Sequence, residues 1–430
     1  MNRFILTKLN EWKDGVNRKP LILKGARQVG KTWLMKEFGR RHFANILYLN
    51  FESSTRLKKL FEEDFNITRV ITSIEIEANQ KVDPKNTLII FDEIQEAEKG
   101  LTSLKYFYEQ APEYFIVAAG SLLGISMQKN NSFPVGKVDL LEMYPLSFIE
   151  FLSNIGEEKL AAEIQNRNWS VISIFHDKLT EQLRLYYFIG GMPEVVANYI
   201  QNKNLETVRS LQQKLLMGYE NDFSKHAPDV IVPRIRLVWN NLISQLAKEN
   251  RKFIYGQIKK GARAKDFELA ISWLVDAGLA IKVNRVEKPT KPLNAYSDFD
   301  AFKLFLVDIG LLNAMANLDQ KTLLEQNKIL TEYKGALSEQ FVCQQMIHKT
   351  KLYYWSIPPA TAEVDFIFEK GEEIIPVEVK AEKNLKAKSL KLFAEKFNTK
   401  NAIRLSMSPY NNKQGWLTDL PLYGAETITY

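Results

Sequence analysis

Gly25-Ala-Arg-Gln-Val-Gly30-Lys31-Thr32 fills every position of the phosphate-binding pattern G-x-x-x-x-G-K-[ST], and its flanks constrain the fold as strongly as the motif itself. Ahead of it, Pro20-Leu-Ile-Leu-Lys24 is a short apolar run that predicts a strand. Behind it, Trp33-Leu-Met-Lys-Glu-Phe-Gly39 predicts a helix. A strand that runs into a glycine loop and then a helix converges backbone N–H groups on phosphate oxygens, under the positive end of the helix dipole. Gly25, Gln28, Val29, Gly30, Lys31, Thr32 and Trp33 are the expected nucleotide-binding residues. Lys31 would reach the β- and γ-phosphates, and the Thr32 hydroxyl would hold Mg2+. The alternative is a tight glycine turn without a ligand, and a second segment weighs against it.

That segment is Thr87-Leu-Ile-Ile-Phe-Asp92-Glu93-Ile-Gln95. Apolar residues followed by two acids describe a buried parallel strand with carboxylates at its C-terminal edge, where ligands of open α/β sheets bind. Asp92 is expected on the Mg2+ held by Thr32, and Glu93 is expected to polarise the water that attacks the γ-phosphate. A further strand, Tyr114-Phe-Ile-Val-Ala-Ala119, ends in Gly120-Ser121. Ser121 either touches the γ-phosphate or attacking water, or belongs to a plain turn. No guanine-specific motif is present, so ATP is the expected nucleotide.

The 430 residues suffice for two to four domains with sizeable cores. A single cysteine, Cys343, excludes an intrachain disulfide framework and any cysteine-clustered zinc site. The N-terminal dozen residues are amphipathic rather than a signal peptide, and no run reaches the ~18 apolar residues of a membrane helix. A cytoplasmic protein without a membrane partner is expected. The formal charge of +7 permits nucleic acid as a partner without requiring it.

Residues 1–155 alternate strand and helix patterns, with strands expected at 21–24, 45–51, 87–91, 114–119 and 138–143. Such alternation predicts an α/β domain built on a parallel sheet. Asn130-Asn-Ser-Phe-Pro-Val-Gly136-Lys137 reads as a polar loop, and Pro145-Leu-Ser-Phe as the start of a helix. Residues 156–228 read as a helical lid broken at Gly190-Gly191-Met-Pro193. Residues 229–325 carry helices at 232–249 and 264–278, then strands at 279–286 and 303–307. This is the order of a winged helix. Lys259, Lys260, Arg263 and Lys265 cluster at the start of the second helix, either to meet DNA or to decorate a protein-binding wing.

The last stretch, residues 326–430, contains two alternating runs, Ala362-Glu363-Val-Asp365-Phe-Ile-Phe368 and Ile374-Ile-Pro-Val-Glu378-Val-Lys380. A two-residue turn at Gly371-Glu372 would pair Phe368 with Ile375, Phe366 with Val377 and Val364 with Val379. On the other face Asp365 then meets Glu378, and Glu363 meets Lys380. Facing carboxylates cost about 0.2–1 kcal/mol when exposed. A Mg2+ ion would turn them into a site, with Lys380 beside it and Glu339, on a helix over 335–348, as a further ligand. The other reading is a solvated hairpin face with ordinary Glu–Lys pairing.

Taken whole, the chain resembles a widespread family of bacterial and archaeal ATP-binding proteins with an AAA-type P-loop domain, a winged helix and a C-terminal domain similar to PD-(D/E)XK nucleases. The marks are the loop Gly25 to Thr32, Asp92-Glu93-Ile-Gln95, Gly120-Ser121, Pro145-Leu-Ser-Phe, Gly190-Gly-Met-Pro193, Asp308-Ile-Gly-Leu311, Gly335 with Glu339, and Val-Glu378-Val-Lys380. The resemblance implies ATP binding at Gly30, Lys31, Thr32 and Asp92, and a nuclease-like core of Glu339, Asp365, Glu378 and Lys380. Where the family commonly has Gly-Arg, this chain has Gly136-Lys137. If that position supplies a cationic finger, Lys137 offers a point charge in place of a planar donor fork. The expected function is an ATPase that couples nucleotide state to a nucleic-acid-facing winged helix and a metal-dependent nuclease-like domain. Its rival is a nucleotide-gated switch that binds protein partners through an inactive nuclease fold.

Overall fold

The alternating pattern of the first third closes into the parallel sheet that its connectivity requires. In the computed structural model, β1 (Leu21–Lys24), β2 (Asn45–Asn50), β3 (Thr87–Asp92), β4 (Phe115–Ala119) and β5 (Asp139–Glu142) pair in the order β2-β3-β4-β1-β5, every pair parallel. Each strand end falls within one residue of its expected place. The structure describes residues 1–121, 123–125, 133–247, 252–320, 331–357, 362–381, 388–412 and 415–429, with only the backbone at 331 and 332. Asn130 to Ser132 of the expected polar loop, and the expected domain boundary at 325/326, lie outside them.

The described chain divides into two compact units, Arg3–Tyr144 with Asp276–Gly278, and the remainder. In the first, β3 is buried at all six positions, which is why its apolar run is continuous rather than alternating. Phe51, Phe61, Phe91 and Phe107 pack ring against ring in its core. Because all strands are parallel, their C-terminal ends share one edge. Leu23 and Asp92 both stand in register with Ala119, on either side of β4. The residues after β1 and the end of β3 are therefore two strand spacings apart, about 9.6 Å.

In the second unit the helix Phe148–Asn154 starts from Ser147, whose side chain accepts the Glu150 N–H in a full capping box. Pro145 lies just before this cap, near the first turn as expected. The break at Gly190 separates helices His176–Ile189 and Pro193–Asn202, the latter with Pro193 at its first turn. Asp308 closes this break: its carboxylate accepts the Gly191 N–H at 2.6 Å, the Leu311 N–H at 3.0 Å and Gln344 Nε2 at 3.1 Å. Gly190 has φ +76°, and a Cβ there would collide with the Asp308 carboxylate. Two separate sequence marks thus form one buried knot.

Helices Val232–Leu246, Tyr255–Ile258 and Ala264–Asp276 precede β6 (Ala280–Val286) and β7 (Ser297–Leu306). The first and third of these helices end short of their expected limits of 249 and 278, and β7 starts six residues before the expected 303. The two strands are not a free-standing wing. β6 pairs in parallel with β8 (Tyr353–Ile357), and β9 (Ala362–Lys370), β10 (Glu373–Val379), β11 (Ala402–Ser406) and β12 (Leu417–Pro421) continue a seven-stranded mixed sheet, β12-β11-β10-β9-β8-β6-β7. Covering the β6 edge satisfies backbone groups that a two-stranded ribbon would leave open. The loop between β6 and β7 is tied to the same sheet, since Trp355 Nε1 donates to the Glu287 carbonyl at 3.0 Å and Leu293 N–H donates to Glu369. The β9–β10 hairpin has the expected register, with Phe368 opposite Ile375 and Phe366 opposite Val377.

Candidate functional site

The loop after β1 needs two glycines. Gly25 has φ +151° and a Cβ there would collide with the Met143 carbonyl, while Gly30, at φ +92°, caps the helix Lys31–His42. Gln28 also adopts a left-handed conformation, at φ 66°. Val29 is buried, Gln28 exposed and Trp33 half-buried. Arg3 braces the loop from beneath, donating to the Val29 carbonyl at 3.3 Å and the Tyr144 carbonyl at 2.7 Å. Lys31 is 6% exposed, and its ammonium donates to the carbonyls of Gly25 at 2.9 Å and Ala26 at 2.8 Å. Burial pulls its pKa down to about 8, against the opposing pull of Glu93 and Asp92.

At the end of β3, Asp92 Oδ2 accepts two hydroxyl donors, Thr32 Oγ1 at 2.7 Å and the Tyr48 OH at 2.8 Å. Desolvation, then the bond to Asp92, pushes the Tyr48 phenol up to about 12. One hydroxyl and one carboxylate at hydrogen-bond distance are the oxygen donors a hard cation takes, so Thr32 and Asp92 fit Mg2+.

Glu93 turns into a left-handed conformation, φ 52°, directly after the strand. Its Oε2 accepts three donors: Gln95 Nε2 at 2.6 Å, Ser121 N–H at 3.0 Å and Ser121 Oγ at 3.2 Å. A Cβ at Gly120 would collide with the Gln95 amide, so Gly120 makes room for this clamp. Gly120-Ser121 is therefore more than a turn; Ser121 holds the acid. Lys137 is the exception among the expected residues of this unit. It precedes β5, which runs parallel to β1, and so stands at the opposite, N-terminal edge of the sheet. Its ammonium pairs with Glu109 at 2.9 Å. A four-residue strand, about 13 Å, separates that edge from the loop, so Lys137 cannot serve this chain's own phosphate site as a finger.

In the second unit the hairpin acids come together as expected on one face. The Val379 N–H donates to Asp365 Oδ2 at 2.8 Å, and Lys380 Nζ bonds Glu378 Oε1 at 2.5 Å. Burial first, and then the charge of Asp365, pushes the Glu378 carboxyl well above the ordinary range. The expected ligands, however, gather around an ammonium. Lys303 of β7, fully buried, places Nζ 2.6 Å from Glu363 Oε1, 3.2 Å from Glu339 Oε2 and 3.8 Å from Asp365 Oδ1. Among the described residues, no group of three or more His, Cys, Asp or Glu side chains is arranged to hold a metal ion. Glu339, Asp365 and Glu378 thus do not fit Mg2+ as a shared ligand set in this arrangement.

Four of these residues lay outside the expectations: Arg3, Tyr48, Gln95 as a clamp, and Lys303. For Lys303 a signal existed, since it is the lone charge in Ala301-Phe-Lys-Leu-Phe-Leu-Val307, a strand without polar alternation.

Residues 17–152 match the model of an AAA domain. Residues 180–322 and 334–423 match two domains of unknown function (DUF8612 and DUF4143). The first unit therefore carries an AAA-type P-loop domain. No curated protein matches the sequence. Among solved structures, the chain aligns with a Walker-type ATPase of Pyrococcus abyssi at 15% identity and TM-score 0.46, over 72% of this chain and 94% of that one. It also aligns with the Orc1 protein of Aeropyrum pernix in complex with DNA, at 13% identity and TM-score 0.28, over 73% and 91%. With C. elegans PCH-2 the identity is 14% and the TM-score 0.22, over 39% and 46%. Among the described residues, no helix is long and apolar enough to cross a membrane.

Proposed function

We propose that the chain is a Mg2+-dependent ATP-binding protein and ATPase, acting in the cytoplasm, whose nucleotide state is coupled to the second unit. The observation that carries this reading is the meeting of Thr32 and Asp92 at 2.7 Å, with the clamped Glu93 directly after Asp92. On nucleotide binding, the Lys31 ammonium exchanges the Gly25 and Ala26 carbonyls for β- and γ-phosphate oxygens. Thr32 and Asp92 would hold Mg2+, which would supply charge neutralisation for the same phosphates. Glu93, released from Gln95 and Ser121, accepts the proton of the attacking water as the bond between the γ-phosphorus and its bridging oxygen breaks, giving ADP and phosphate. Glu93→Gln should retain ATP binding and lose hydrolysis by about 10²- to 10⁴-fold, the usual worth of a general base. Parent-level hydrolysis by this variant would remove Glu93 from the mechanism.

For the second unit, the exposed cluster Lys259, Lys260, Arg263 and Lys265 supports a nucleic-acid-facing winged helix. Two other observations favour a protein-binding scaffold with an inactive nuclease-like domain: the wing loop is tied down by Trp355, and Lys303 sits among the acids. DNA binding separates the readings, because phosphate neutralisation makes affinity fall steeply with salt. Binding at low salt that weakens on Lys259→Ala/Lys260→Ala supports the first reading, and its absence supports the second.

A further inference from the structure

Lys303 lies on β7, three strands away in the sheet from the β9 strand that carries Glu363 and Asp365. Its side chain is completely buried, and its ammonium also faces the Tyr354 ring at 5.1 Å. An ammonium removed from water must be paired, and here Glu339, Glu363 and Asp365 provide the counter-charge. The dependence runs both ways, because Glu339 is only 1% exposed and its buried charge would lose this ion pair without the lysine. A divalent ion bridging these acids would need their oxygens at about 2.0–2.6 Å from one centre. The ammonium already fills that centre, and being enclosed it has no water to retreat into.

We infer that Lys303 is a resident cation: its ammonium takes the place of a divalent metal between Glu339, Glu363 and Asp365, making this pocket a metal-free, non-hydrolytic site. Lys380, paired with Glu378, completes the same arrangement of internal counter-ions. The inference is independent of ATP hydrolysis by the first unit, which can be assayed on the same samples.

The test is Mn2+ binding by the nucleotide-free, full-length protein, read from the electron paramagnetic resonance of free Mn2+. The parent, Glu339→Gln and Asp365→Asn should bind equal amounts of Mn2+, so that neither substitution removes a site. Lys303→Met, whose side chain keeps the length and loses the charge, should gain a single saturable Mn2+ site per chain, lost again in Lys303→Met/Glu339→Gln. A Mn2+ site in the parent that Glu339→Gln or Asp365→Asn abolishes would overturn the inference. So would a Lys303→Met protein with parental circular dichroism and no added site. Should Lys303→Met fail to fold, the comparison of the parent with the two acid variants decides alone: a difference overturns the inference and equality supports it.

Discussion

Raising the pH should weaken ATP binding and strengthen the nucleotide-free fold at the same time, because both respond to one buried ammonium. Lys31 is 6% exposed and its pKa stands at about 8 instead of 10.5. In the proposed nucleotide complex, phosphate oxygens would replace the two neutral carbonyls as its partners and favour the charged form. Binding ATP above pH 8 therefore requires uptake of a proton, and the apparent dissociation constant grows by a factor of about 1 + 10^(pH − 8). That is about twofold at pH 8 and about tenfold at pH 9, or about 1.4 kcal/mol. Stability has the opposite sign. Between pH 8 and 10.5 the unfolded chain holds more protons on this lysine than the native one, so the native state gains with rising pH. The full effect, 10.5 to about 8, corresponds to about 3 kcal/mol of cost present at neutral pH and gone above pH 10.5. Calorimetric titration of ATP from pH 7 to 9.5 measures the first quantity. The second is the difference in urea-unfolding free energy between the parent and Lys31→Met, which cancels the other titrating groups. A nucleotide affinity constant across that range would refute the assignment of Lys31 to the phosphates.

Asp308→Ala leaves the Gly191 and Leu311 N–H groups without their acceptor in a buried site, while Gln344 Nε2 keeps its bond to the Tyr186 hydroxyl at 3.0 Å. At about 1–3 kcal/mol for each of these two unsatisfied groups, denaturant unfolding should reveal a loss of at least about 2 kcal/mol; a loss below about 1 would mean that the knot is dispensable. Glu378→Gln tests the raised carboxyl of the second unit. A native pKa above the unfolded one means that the native state holds the extra proton, so stability falls as pH rises from the ordinary glutamate range through neutrality. The variant should therefore overtake the parent in melting temperature as pH increases, and parallel curves would contradict this. Tyr48→Phe removes one of two donors to Asp92 while leaving Thr32 in place. The Mg2+ concentration for half-maximal ATPase activity should shift by no more than about tenfold, equivalent to the 0.5–1.5 kcal/mol of one hydrogen bond. A complete loss of activity would give Tyr48 a larger role than support.

Much of the site was legible because it depends on short-range rules. The loop at Gly25 to Thr32 is one contiguous segment whose glycines are dictated by its own backbone. The β9–β10 register follows from a two-residue turn and the period of two along a strand, so Phe366 opposite Val377 could be read off by counting. Asp92 reached Thr32 because a parallel sheet brings every strand's C-terminal end to one edge. The same rule misplaces Lys137 for anyone who stops at its chemistry: it comes before its strand, not after it.

What counting along the chain could not supply was the set of partners chosen across elements. Nothing local tells that β6 will pair with β8 and turn an expected wing into the edge of a larger sheet. Once it does, β7 is carried to where Lys303 can reach Glu339, Glu363 and Asp365. The amino-acid order by itself determined a nucleotide-type loop, its acidic strand and a hairpin with facing carboxylates, because each is fixed by neighbours in the chain. Tertiary packing alone decided which cation those carboxylates would hold, because a charge sealed away from water is governed by whichever groups the fold brings within a few ångströms, however distant they are in sequence.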